Sequence, residues 1–108
     1  MTASSLKVPF VHHVFFWLNR PGNTEDRDAI VAGLEKLRAA PDIVSSHIGV
    51  PAGTDRDVVD NSYAVSWMLF FDSPEAQDRY QDDPIHLEFV RTCGKYWKRV
   101  QIYDTLEV

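Results

Sequence analysis

Val8-Pro-Phe-Val-His-His-Val-Phe-Phe-Trp-Leu18 is the stretch from which the fold can be read. It is rich in β-branched and aromatic residues and reads as a strand. It does not alternate between apolar and polar positions. A strand that is apolar on both faces is covered on both, by helices on one side and by another sheet or subunit on the other. Asn19-Arg20-Pro21-Gly22-Asn23 then breaks it with a Pro-Gly turn signal.

Downstream, a helix is predicted over about Thr24 to Ala39. Asn23 or Thr24 caps it, and Glu25 and Asp26 stand in the first turn, where the helix dipole favours negative charge. Ile30, Val31, Leu34 and Leu37 form one apolar stripe, and Pro41 stops the helix. Gly33 is its weak point, costing about 1 kcal/mol relative to alanine. Ile43 to Val50 reads as a second strand weakened by Ser45-Ser46, residues 51–62 as a polar, turn-rich loop, and Tyr63 to Phe71 as a third strand. Ser73-Pro74-Glu75 starts a helix that runs to about Gln81. Asp83-Pro84 repeats the device for a helix to about Cys93, with Gly94 at its end. Arg99 to Leu106 alternates as a fourth strand. The order β-α-β-β-α(α)-β is the ferredoxin-like split βαβ pattern, an α+β fold with four antiparallel strands and helices on one face. The other sheet face then needs apolar cover, most simply the same face of a second copy, which predicts a homodimer.

With 108 residues, 44% hydrophobic and 25% charged, the chain suits one ordinary globular domain with its core over about residues 11–107. Six Phe, four Tyr and three Trp are a generous aromatic supply, suited to a pocket or an interface. A net charge of −5 disfavours nucleic acid as a partner. The single cysteine, Cys93, allows no intrachain disulfide and does not point to an oxidising compartment. Residues 1–7 lack the pattern of a secretory signal, and no apolar run approaches the ~20 residues that span a bilayer. A cytoplasmic protein without a membrane partner is the expectation.

The histidines are His12, His13, His47 and His86. None has metal-site spacing, and neither a dinucleotide-binding nor a Walker loop is present, so neither a metal nor another cofactor is expected. His12 and His13, adjacent on a strand, point to opposite faces. Tyr80-Gln-Asp-Asp-Pro-Ile-His86 is more specific, because it brings a tyrosine near one helix end and a histidine on the next helix's first turn to one corner. A neutral imidazole takes a proton near pH 7, and a phenol donates to a carbonyl oxygen that gains charge. A strand-1 histidine facing the helices would reach the same place. The alternative is that both side chains only satisfy nearby backbone groups.

His13-Val-Phe-Phe-Trp-Leu18, the helix ending near Ala39-Ala-Pro41, and Tyr80-x-x-x-Pro84-x-His86-x-x-Phe89 together resemble the stress-responsive dimeric A/B-barrel family, Dabb, from about Val11 to Glu107. The resemblance implies a ferredoxin-like monomer that dimerises through its sheets, with a cavity between helices and sheet. Most members have no assigned reaction. A plant polyketide cyclase of the family closes a ring by aldol-type condensation using histidine and tyrosine. Carried over by position, His13, Tyr80 and His86 are similar to that enzyme's catalytic set, whereas a further histidine on its third strand falls near Val65, which cannot transfer protons. His12, on the other face of the strand, is then an interface or core residue. Three readings follow: a stress-response domain that binds a small apolar or carbonyl-containing molecule, a cofactor-free cyclase or lyase using a His/Tyr acid–base pair, and a monooxygenase-like or haem-linked member of the wider α/β-barrel group that would draw on His47, His86, Trp17 or Trp67.

Overall fold

The computed structural model describes residues 9–108; Val8 and the segment read as lacking a signal lie outside the described residues. The order is β1 (Phe10–Leu18), α1 (Thr24–Leu37), β2 (Ser45–Gly49), β3 (Val65–Phe71), α2 (Pro74–Asp82), α3 (Pro84–Cys93) and β4 (Trp97–Leu106), with one 3₁₀ turn (Gly94–Tyr96) before β4. The strands form one antiparallel sheet in the order β2-β3-β1-β4, which is the ferredoxin-like α+β fold read from the sequence.

Of the two candidate caps for α1, Asn23 serves: its side chain accepts from the backbone N–H of Asp26 at 2.9 Å. Such a cap is worth about 1 kcal/mol. The helix ends at Leu37, earlier than predicted, because the N–H groups of Ala39 and Ala40 turn to the carbonyls three residues back and Pro41 has none to offer. Ser45 and Ser46 lie inside β2, which an edge strand tolerates because one of its sides faces solvent. Asp83 ends α2 and caps α3, its carboxylate accepting from the N–H of Ile85 at 2.8 Å.

Alternation along β1 decides which face is core. His12, Val14, Phe16 and Leu18 are buried and meet Val65, Trp67, Leu69 and Phe71 of β3 under Ile30, Leu34, Tyr80 and Phe89 of the helices. Burying each large side chain contributes roughly 1.5–3 kcal/mol. The opposite face carries His13, Phe15 and Trp17 of β1, Met68 and Phe70 of β3 and Tyr103 of β4, all of them half-buried or exposed. Phe15 sits at its centre, with ring centroids 4.3 Å from His13, 4.9 Å from Tyr63 and 6.1 Å from Tyr103. Among the described residues no helix covers this aromatic patch.

Gly33, a weak point by helix propensity alone, has a packing reason. A Cβ there would come within 2.5 Å of Cys93 Sγ and 3.1 Å of Phe89 Cδ1, so the glycine lets α1 and α3 approach closely. Gly33→Ala is expected to lower stability by about 1–3 kcal/mol despite alanine's better propensity. Adding Cys93→Ala should recover part of that loss. Denaturant melts of the two single variants and the double variant measure this, and a Gly33→Ala protein more stable than the parent would refute the packing account.

Candidate functional site

The corner predicted around Tyr80 and His86 exists. Asp83 sets the angle between α2 and α3, so the last turn of one helix meets the first turn of the next. Their rings lie 4.6 Å apart. The Tyr80 hydroxyl, within a side chain only 2% exposed, accepts from Trp67 Nε1–H at 3.3 Å, which leaves its own hydrogen free to donate. Burial pushes the phenol up to about 12, only partly opposed by Trp67, so it remains protonated at neutral pH.

His86 Nδ1 lies 3.0 Å from the backbone carbonyl of Gln81. A carbonyl only accepts, so Nδ1 carries the hydrogen and the neutral ring keeps its lone pair on Nε2. Burial is the main influence holding this imidazole below its ordinary 6.5, with His12 adding to it and the Gln81 carbonyl and Asp83 opposing.

The strand histidine at this corner is His12. The resemblance carries the role to His13, but the side chain that points to the helices is that of His12, only 4% exposed, with its ring 6.1 Å from that of Tyr80. Its Nδ1 donates to Asp104 Oδ1 at 2.6 Å across the β1–β4 pair. Among the described residues nothing hydrogen-bonds its Nε2. His13 turns to the open face, where it is 2.8 Å from Ser66 Oγ; burial, then His47 and His12, hold its imidazole below the ordinary value. His13 therefore does not join Tyr80 and His86. Both faces of β1 are apolar, so the sequence offered no parity signal to choose between adjacent histidines.

Asp104 was not singled out from the sequence, and Trp67 was weighed only for oxygen chemistry, not as a partner of Tyr80. Only the strand register, which sets His12 opposite Asp104, reveals the first, and only the burial of Tyr80 reveals the second. Asp104 and Ile102, two of the β4 side chains on the helix side, remain well exposed, so the helices leave this part of the β4 edge open toward His12. The tryptophans that oxygen chemistry would draw on are engaged elsewhere, Trp67 with Tyr80 and Trp17 with Ser62 at 3.0 Å. Among the described residues no cluster of His, Cys, Asp and Glu is suited to a metal, and no helix is long and apolar enough to cross a membrane.

A single antiparallel sheet backed by helices, with buried His12 and Tyr80 and half-buried His86 clustered beneath it, defines an α+β protein of the ferredoxin-like class. The chain belongs to the stress responsive A/B barrel domain family, Dabb, whose model matches residues 10–106. Among solved structures it is similar to a Dabb family protein with a ferredoxin-like fold from Mesorhizobium loti, at 19% identity and a TM-score of 0.76 over 94% of this chain and 99% of that one. A dimeric ferredoxin-like protein of unknown function from Thermobifida fusca matches at 17% identity and a TM-score of 0.75, over 94% of this chain and 92% of that one. The hydroxynitrile lyase from Passiflora edulis matches at 18% identity and a TM-score of 0.75, over 93% and 94%. At these identities the likeness is one of fold. No curated protein matches the chain.

Because the folded chain takes up the His86 proton less readily than the unfolded one, this group contributes stability that is full above about pH 6.5 and is lost as pH falls through the lower folded value. NMR titration of the His86 ring should give a midpoint below 6.5. His86→Gln should flatten the acid side of the stability profile. A midpoint at or above the ordinary value would contradict the burial argument.

Proposed function

We propose that the chain binds a small carbonyl compound between the sheet and the α2–α3 corner and moves a proton on it without a cofactor. His86 Nε2 is the base, the Tyr80 hydroxyl donates to the carbonyl oxygen, and His12, oriented by Asp104, supplies a second imidazole. The observation that carries this reading is the close, tilted contact of a neutral imidazole with a phenol that stays protonated, with a second histidine beside them. Proton abstraction next to a carbonyl requires that pairing of a base near neutral pH with a donor where negative charge develops. The solvent-reachable Asp104 and Ile102 mark the β4 edge as the way in. That one protein of this fold is a hydroxynitrile lyase supports a lyase-type form of the same chemistry.

The test is solvent-deuterium incorporation into acetylacetone and acetophenone, followed by NMR. Exchange above buffer is expected, with His86→Ala reducing it by about 10²–10⁴-fold and Tyr80→Phe by up to about 10²–10³-fold. His13→Ala should leave it near the parent level. Absence of exchange with either ketone, or rates indifferent to His86 and Tyr80, would remove the acid–base reading and leave the cluster as packing.

The aromatic patch supports a homodimer through sheet faces, and the Thermobifida fusca protein is described as dimeric. Light scattering at micromolar concentration should return twice the 12.4 kDa chain mass, and Phe15→Lys should halve it. A monomeric parent would overturn the assembly.

A further inference from the structure

A second place in the molecule is built to hold a ligand, and the proton chemistry does not use it; it shares Trp17 and Tyr63 with the rim of the open sheet face. At the Leu18 end of β1, a pocket of about 480 Å³ opens between the start of α1, the start of β4 and the segment that joins β2 to β3. Its size falls within the range of small-molecule sites, roughly 300–1,000 Å³. We propose that it binds a small aromatic carboxylate.

The walls point to an aromatic body. Trp17, Tyr63, Val50 and Pro51 line the pocket, and the indole is fixed on several sides. Trp17 Nε1–H donates to Ser62 Oγ at 3.0 Å, the Arg99 guanidinium lies 4.2 Å from the ring centroid, and Tyr63 stands edge-on at 6.5 Å. Ser62 is itself held, its backbone N–H donating to the Asp60 carboxylate at 2.8 Å. Asn61 Nδ2 donates to the Thr54 carbonyl at 2.7 Å and closes the loop on itself. The polar segment at residues 51–62 is therefore folded back as one side of a cavity. The other side is fixed as well. Gly22 adopts φ 81°, a conformation that disfavours other residues, and the Arg20 guanidinium grips buried Asp26 at 2.7 and 2.8 Å. A pocket ordered before binding loses little entropy when it is filled.

The charge points to an anion. Arg27 and Lys98 are the ionisable side chains on the lining besides the Tyr63 phenol, and both are cationic, although the chain as a whole carries −5. Arg27 is shared with Asp28 at 3.0 Å, whereas no ion pair engages Lys98 among the described residues. Lys98 is thus the principal countercharge, and the positive end of α1 at Asn23 and Thr24 adds to it. An indole and a phenol side by side with a cationic rim suit a flat ring bearing one carboxylate. His13, Phe15 and Tyr103, at the centre of the open sheet face, do not line this pocket.

The experiment uses the full chain with 2-naphthoate and its neutral isostere 2-naphthamide, followed by the indole N–H resonance of Trp17, assigned by its loss in Trp17→Phe. Naphthoate is expected to shift that resonance saturably. The amide and the Lys98→Gln variant should each bind about tenfold more weakly, the loss of one charge-assisted contact. His86→Gln should leave naphthoate binding unchanged, which separates this site from the His–Tyr cluster. No shift with millimolar naphthoate overturns the site. Equal binding of acid and amide, or full affinity in Lys98→Gln, overturns the assignment to a carboxylate.

Discussion

The position of β1 inside the sheet constrains everything else. It lies between β3 and β4, so its residues from Phe10 to Phe16 are paired on both sides, and strand alternation divides its side chains between two environments. A slip of one residue would exchange the sets. In most strands the hydrophobic pattern forbids this, but here both sets are apolar, and a slipped β1 would still present large aromatic side chains to each face. Polar pairs specify the register instead. His12 reaches Asp104 on one side of the sheet, and His13 reaches Ser66 on the other. After a slip in either direction one histidine takes the other's place while the remaining one loses its polar partner, and an unpartnered buried polar group costs roughly 1–3 kcal/mol. The two adjacent histidines thus act as opposed pins, one of which also stands beside Tyr80.

The same burial that holds the core sets the protonation of the corner. Desolvation opposes charge on either kind of group, so it lowers an imidazole and raises a phenol. At His86 and Tyr80 the two effects leave both rings neutral at pH 7. A neutral pair with ring centroids 4.6 Å apart involves no charge repulsion, whereas two imidazolium ions, His12 and His86, would repel each other in a poorly solvated site. The cluster is therefore compatible with tight packing only while at least one of its imidazoles is unprotonated. A base that its surroundings keep neutral at pH 7 is also poised to accept a proton from a bound molecule.

Much of this architecture is legible in the chain because local signals agree with the global fold. Pro74 and Pro84 each sit directly after a capping residue, and both helices begin there. Pro-Gly ends the region of β1, and the α1 stripe of Ile30, Leu34 and Leu37 is buried as its spacing requires. Element ends were less legible: α1 stops at Leu37 because backbone N–H groups change acceptor, which no side chain announces. The site was legible where it is local. Tyr80, Asp83 and His86 lie within one helix-to-helix corner, so sequence spacing alone placed them together. It was illegible where it depends on pairing distant strands. His12 and Asp104 are 92 positions apart and meet only through register. Family resemblance selected His13 because a pattern fixes a column in the sequence, whereas a one-residue offset on a strand changes the face.

The two sites belong to opposite ends of β1. His12 and Trp17 are five positions apart, which at roughly 3.3 Å per residue separates their backbones by about 16 Å. That exceeds the length of a small carbonyl compound or arenecarboxylate, and it is beyond the roughly 8–10 Å over which charges act through physiological salt. A carboxylate near Lys98 would therefore leave the proton affinity of His86 largely unchanged through space. A mechanical route would run along the strand, but Val14 and Phe16 between the two places are locked in the core. Close-packed side chains transmit a shift only if an alternative packing exists. The fold therefore offers two separately addressable ends of one strand, with acid–base groups buried at one and a preformed aromatic slot at the other.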